Sequence, residues 1–242
     1  MQAMILAAGL GTRLKPITEN IPKALVEVNG KTLLEIAIRN LIEYDFRKIV
    51  INVHHFSDLV KEFLERNTFA AEIQISDETN LLLDTGGGIK KALQYFNDSP
   101  VLIHNVDIIS NLNLYEFYQY HIYDDAVASL CVSKRVSSRY LLFNQSNILC
   151  GWQDVKKDEK IIARNENNLE QYAFNGIHIV NPELIKSFPD EKVFSVIKAY
   201  LELAKTEDIN AYVTNDIKWV DVGKIDSFQS AEQLLRNINL SS

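Results

Sequence analysis

Cysteine is nearly absent from this chain. Cys131 and Cys150 are its only two, which rules out a disulfide framework. They read as thiols in a reducing, cytoplasmic setting, with a single bridge between them left open. No apolar run approaches the roughly 20 residues that span a bilayer, and no basic flank or cleavage site precedes the first strand, so neither a membrane segment nor a signal peptide is expected. A cationic surplus is missing too. With 25 Lys and Arg against 32 Asp and Glu, the net charge is −7, which argues against nucleic acid as the main partner. The five histidines show no zinc spacing. His54 and His55 are neighbours on a strand and face opposite sides, while His104, His121 and His178 fall on separate elements. There is no G-x-S-x-G elbow and no internal repeat. Tyr115, Tyr118, Tyr120 and Tyr123 read as helix packing.

What is present is an ordinary globular composition. At 242 residues and 47% hydrophobic, the chain can bury a full core as one α/β domain, with or without a small lobe. Strands are predicted at Met4–Leu6, Lys48–Val53, Ala71–Ser76, Val101–Ile103 and Ala126–Val132. Between them come helices over Thr32–Tyr44, over Asp58–Arg66 capped by Ser57, over Gly88–Phe96, and from a capping box at Asn113 and Glu116 to about Asp124. Such alternation indicates parallel βαβ units, with ligands at the carboxyl ends of the strands. That edge carries Ala7–Arg13, His54, Glu78 and Asn105–Asp107. The second half changes character. A hairpin is predicted from Arg139–Asn144 and Asn147–Trp152, followed by an exposed excursion over Lys156–Asn168. Strands follow at Tyr172–Val180, Ile209–Thr214 and Lys218–Val222, with a helix start at Asn181-Pro182 and helices over Val193–Lys205 and Ser227–Asn237.

The stretch Met4–Lys23 organises the rest. A short buried strand runs into Leu6-Ala7-Ala8-Gly9-Leu10-Gly11-Thr12-Arg13. Small residues there let backbone N–H groups approach a ligand as an anion nest. The first 31 residues hold Arg13, Lys15, Lys23 and Lys31 against only Glu19 and Glu27, so positive charge is concentrated beside the loop in an otherwise acidic chain. Neither a dinucleotide fingerprint nor a P-loop fits: Leu14 stands where the third glycine belongs, and no G-x-x-x-x-G-K-[ST] run exists. Elsewhere, Asp107 and Asp221 are lone carboxylates beside apolar residues. Desolvating either without a partner is costly, and a shared Mg²⁺ would remove that cost while bridging to phosphate oxygens. Either aspartate could equally cap a turn. Asp84-Thr85-Gly86-Gly87-Gly88 would admit a flat base or ribose, or serve only as a flexible loop before a helix.

The run G-x-G-T-R followed by Pro22-Lys23 resembles the signature of the sugar-phosphate nucleotidyltransferases. The Thr85–Ile89 segment, Phe174-Asn175-Gly176-Ile177 and Trp219–Gly223 are similar to one subgroup, the N-acetylmuramate-1-phosphate uridylyltransferases. The likeness runs from Met4 to about Gly223. It implies a Rossmann-like three-layer α/β/α fold with a mostly parallel central sheet. The single domain would divide into a nucleotide-binding part over 1–133, a smaller sugar-binding lobe over 134–223 and a closing helix over 224–242. With no hexapeptide repeat, the acyltransferase domain of some relatives is not expected. By the same resemblance, Arg13 and Lys23 are catalytic, and Asp107 and Asp221 hold Mg²⁺. Leu6, Ala7, Ala8, Gly9, Gly11, Thr12, Glu78, Thr85, Gly86 and Asn105 bind the NTP, with UTP favoured. Gly87, Glu170, Asn175 and Gly176 face the sugar 1-phosphate.

The chain departs from the pattern at two places. Val106 stands where many relatives have glycine, and the second lysine that relatives carry in an E-K-P motif is missing from the Lys134–Gln171 region. Three alternatives stay open. A glycosyltransferase would usually show D-x-D, but residue 105 is asparagine. A non-catalytic nucleotide-sugar sensor need not keep Arg13, Lys23 and both aspartates. Guanylyl transfer to mannose or heptose 1-phosphate would use the same machinery.

Overall fold

The computed structural model describes residues 1–214 and 216–238. Among the described residues, fourteen strands and seven α-helices follow in chain order. The first half holds β1 (Gln2–Leu6), β2 (Glu27–Val28), β3 (Lys31–Thr32), α1 (Leu33–Glu43), β4 (Lys48–Val53), α2 (Ser57–Arg66), β5 (Glu72–Asp77), α3 (Asp84–Ala92), β6 (Val101–Asn105), β7 (Ile108–Ser110) and α4 (Leu114–Tyr123). The second half holds β8 (Ala128–Ser133), β9 (Arg139–Phe143), β10 (Leu149–Asp154), β11 (Glu159–Ile162), β12 (Glu170–Val180), α5 (Pro182–Lys186), α6 (Val196–Leu203), β13 (Ile209–Val213), β14 (Trp219–Asp221) and α7 (Phe228–Asn237).

The main sheet runs β5-β4-β1-β6-β12-β8-β13. All its strands are parallel except β12, which lies antiparallel between β6 and β8. The long β12 also reaches β9, and β9, β10 and β11 extend the sheet as an antiparallel meander. A separate ribbon pairs β14 with β7.

Strand alternation divides the core into two layers of contacts. Ala3 and Ile5 of β1, Ile49 and Ile51 of β4, and Leu102 of β6 face one side, against Leu34 and Ile38 of α1, Phe117 of α4 and Leu234 of α7. Met4, Val50, Val101 and Ile103 face the other, against Ile89 of α3, Ile185 of α5 and Tyr200 of α6. Period-2 strands with apolar residues on both faces need helices on both faces, and the three layers follow.

Most predicted elements lie where the sequence puts them. The capping box forms, with Asn113 Oδ1 accepting the Glu116 N–H at 3.1 Å. Three differ. The third helix begins at Asp84 rather than after the glycines. The second helix is entered through Phe56 in the left-handed region, and Ser57 provides no cap; its hydroxyl instead accepts Thr79 Oγ1 at 3.2 Å. The excursion after Asp154 contains β11, so it is a flap on the sheet edge. Among the tyrosines, Tyr118 is buried, while Tyr115 and Tyr123 stand out in solvent. Cys131 and Cys150 are both free and buried. No helix among the described residues is long and apolar enough to cross a membrane.

Candidate active site

The first loop leaves β1 at the carboxyl edge of the sheet. Its Ala7 N–H is held by Asn52 Oδ1 at 2.7 Å, which fixes the loop to the neighbouring strand β4. Gly11 has φ +65, and a Cβ there would meet Thr18 at 3.0 Å and Lys23 at 3.1 Å, so only glycine closes this turn without strain. Thr12 and Arg13 follow in a short 3-10 helix over Thr12–Leu14 and are exposed. A cleft of about 430 Å³ opens above the loop, lined by Leu6, Ala8, Gly9, Lys23, Asn105 and Asp107, with Asp84, Thr85 and Val193 on its far wall.

Lys23 and Asp107 form an ion pair at the cleft floor, and both side chains are largely buried. The ribbon of β7 and β14 then carries Asp221 to the same place. Asp221 pairs in register with Ile108, and the Val222 N–H donates to the Asp107 carbonyl at 2.8 Å. Arg13 Nη2 lies 3.9 Å from Asp221 Oδ2. Gly223 makes this approach possible, since a Cβ there would sit 2.6 Å from both Arg13 Nη2 and Asp221 Oδ1. Burial raises the Asp221 pKa above the usual carboxylate value, and the Asp107 charge adds to the rise; Lys23 and Arg13 oppose it. Asp221 Oδ1 is buried without a hydrogen-bond partner among the described residues. Two converging carboxylates, one with an orphaned oxygen, fit a hard divalent cation. Among the described residues no cluster of three or more metal-ligating side chains exists, so further ligands would be water or substrate oxygens.

Several residues expected at the ligand surface are used inside the protein. Glu78 is 1% exposed. Its Oε1 accepts Asn52 Nδ2 at 2.7 Å and its Oε2 accepts the Leu83 N–H at 3.1 Å. Burial raises its pKa, with the Asn52 and Leu83 bonds opposing. The glycine triplet is packing as much as opening. A Cβ on Gly86 would lie 2.4 Å from the Phe194 ring, and one on Gly87 2.2 Å from the Lys192 carbonyl oxygen. The Phe194 carbonyl accepts the Gly86 N–H at 2.9 Å, and Thr85 Oγ1 accepts the Val196 N–H at 2.9 Å. The segment before α6 is thereby sewn to the start of α3, forming the far wall of the cleft.

On the other side, Asn175 is fully buried, and Gly176 lies beneath Asn105, whose Nδ2 would be 2.9 Å from a Cβ there. Glu170 pairs with Lys134 at 2.9 Å and accepts the Tyr172 hydroxyl at 2.7 Å. Val106, the departure from the expected glycine, lines the cleft. Asn52 and Val193 line the cleft and are not among the residues expected there. Asn52 had a signal, a lone amide in the β-branched strand Lys48–Val53. Val193 had none, because only the packing of the 192–194 segment on the start of α3 places it.

The chain is 34% identical to the N-acetylmuramate alpha-1-phosphate uridylyltransferase of Caulobacter vibrioides, over 96% of each chain. It is 27% identical to the UTP--glucose-1-phosphate uridylyltransferase of Synechocystis over 96% of this chain, which spans 62% of that longer protein. The inositol-1-phosphate CTP transferase of T. maritima shares the fold, with a TM-score of 0.79 at 16% identity, covering 98% of this chain and 96% of that one. Residues 2–237 match the nucleotidyl transferase family, and the chain belongs to it.

Proposed function

We propose that this protein transfers a nucleotidyl group from an NTP to a sugar 1-phosphate, releasing pyrophosphate, with UTP and N-acetylmuramate 1-phosphate the favoured pair. The Lys23–Asp107 ion pair in the cleft that Ala8 and Gly9 of the first loop also line carries this reading. On this reading a cation and a carboxylate stand where a triphosphate would lie. The preference for UTP and an amino sugar rests on the relative from Caulobacter vibrioides.

The nucleophile is a phosphate oxygen of the sugar 1-phosphate. Its second pKa is about 6, so it is already charged at neutral pH and no general base is needed. That oxygen bonds to the α-phosphorus in line, while the bond from α-phosphorus to the pyrophosphate oxygen breaks. The chief obstacle is repulsion between anions. The loop N–H groups cradle the triphosphate, Lys23 neutralises the reacting phosphates, and exposed Arg13 neutralises the leaving pyrophosphate. Asp107 and Asp221 would hold Mg²⁺, which supplies Lewis-acid charge neutralisation when bound.

Pyrophosphate release tests the reading. UTP, GTP, CTP, dTTP and ATP would each be combined with N-acetylmuramate, N-acetylglucosamine, glucose, mannose and heptose 1-phosphates. Release with UTP and an amino-sugar phosphate is the expected result. Tight nucleotide-sugar binding without release from any pair would overturn it in favour of a sensor.

A further inference from the structure

Three cations approach the paired carboxylates, and one of them has no acidic partner. Lys23 is paired with Asp107, and Arg13 stands beside Asp221. Arg135, just past the end of β8, forms no ion pair among the described residues. Its neighbour Lys134 is matched by Glu170, which leaves the guanidinium as the local surplus of charge. It is also half-buried, and burial lowers its pKa while Asp221 opposes the fall.

Its orientation is fixed from three sides. The guanidinium carbon lies 4.1 Å from the centroid of the Trp219 ring. Nη2 donates to the Phe174 carbonyl at 2.8 Å, and Nε donates to Asn175 Oδ1 at 3.3 Å. Trp219 is in turn held by its own Nε1, which donates to the Asn175 carbonyl at 2.7 Å. These contacts leave both hydrogens of Nη1 without a partner among the described residues. A stacked, tethered guanidinium presents a planar fork suited to phosphate oxygens. Trp219 and Asp221 are two residues apart on β14 and so share a face, which puts the fork beside the carboxylate pair. Arg135 leaves the sheet two strands from β6, a lateral separation on the order of 10 Å at ordinary strand spacing. That is on the side of the 134–223 segment, away from the loop after β1.

We propose that Arg135, seated on Trp219, receives the phosphate of the sugar 1-phosphate and holds it for attack. This rests on the nucleotidyl-transfer reading. It answers a need left by the site itself, because the incoming phosphate is a second anion and the other two cations stand with carboxylates. It also gives Asn175 a positioning role as the anchor of the guanidinium.

The test is steady-state kinetics with a substrate pair that the wild type turns over, varying each substrate in turn for Arg135→Ala and Arg135→Lys. Arg135→Ala should raise KM for the sugar 1-phosphate by about 10-fold to 100-fold, as expected for loss of a charge-assisted pair, with KM for the NTP changed less than about twofold. Arg135→Lys keeps the charge and loses the fork, so its rise should be smaller and on the same substrate. It also decides the matter if the alanine variant does not fold. An unchanged KM for the sugar phosphate, or an equal rise for the NTP, would overturn the assignment while leaving the reaction standing. A wild type silent with every pair would overturn the reaction and this assignment together.

Discussion

Glu78 Oε1 accepts the side-chain amide of Asn52 at 2.7 Å, across 26 residues of chain, with both groups buried. Through Asn52 the bond continues to the Ala7 N–H, and through Glu78 Oε2 to the Leu83 N–H. One buried carboxylate thus ties the loop after β1 to the segment entering α3, on two sides of the cleft. Asn52→Ala would strand Glu78 Oε1 and free the Ala7 N–H. A loss of about 1–3 kcal/mol in urea denaturation is expected, with a rise in KM for the NTP. Unchanged NTP kinetics in a destabilised variant would make this network a purely structural strut.

Lys23→Ala removes the cation from the cleft floor. Turnover should fall about 100-fold or more, the scale found for losing one preorganised charge-stabilising group. Asp107 retains some exposure, so the fold should survive, which a melting curve would establish. Turnover within about tenfold of wild type would remove Lys23 from the mechanism.

Asp221→Asn separates a metal role from a structural one. Asp221 is desolvated and repelled by Asp107, and its folded pKa is raised. A raised carboxylate pKa means that the charged form destabilises the folded state at neutral pH. The variant should therefore melt no lower than wild type without divalent cation, yet lose most of the melting shift that Mg²⁺ produces. Equal Mg²⁺ shifts in the two proteins would reject the assignment.

His178 should make the protein acid-sensitive. It is fully buried, neither ring nitrogen has a partner among the described residues, and burial lowers its pKa to about 3. An unfolded histidine titrates near 6.5, so below that pH the unfolded state binds the extra proton. Stability contributed by the neutral ring is complete above pH of about 6.5 and drains away as pH falls towards about 3, by up to about 1.4 kcal/mol per pH unit. His104, lowered to about 4 by burial, acts in the same direction. Urea midpoints measured from pH 7 to 4.5 should fall less steeply for His178→Phe than for wild type. Parallel slopes would show that the ring takes no part.

Gly87→Ala should reverse the usual helix rule. Alanine in a helix is ordinarily favoured over glycine by about 1 kcal/mol. Here the added Cβ would lie 2.2 Å from the Lys192 carbonyl oxygen, a backbone atom that cannot swing aside. A net loss of about 1–3 kcal/mol is expected from overpacking, together with weaker nucleotide binding as the 192–194 wall shifts. A variant as stable as wild type would show that the segment yields freely.

The sequence by itself determined the layered α/β fold and the place of the glycine loop after β1. Both are written in local patterns: period-2 apolar strands such as Lys48–Val53, a helical stripe over Leu33–Leu41, the capping box at Asn113, and clustered Gly9, Gly11, Arg13 and Lys23. Local patterns also marked Asp107 and Asp221 as unusual, because each charge sits among apolar neighbours. What they could not give is which distant groups meet. Only the insertion of antiparallel β12 between β6 and β8, and the pairing of β14 with β7, set Asp221 against Asp107 and laid Arg135 on Trp219. The glycine triplet read as an open loop because its steric demand comes from Lys192 and Phe194, more than 100 residues later. Glu78 read as a ligand-facing carboxylate because the edge of the sheet was legible and the inward turn of one side chain was not. Burial and partnership of polar groups depend on long-range packing, and that is where the tertiary structure decided the site.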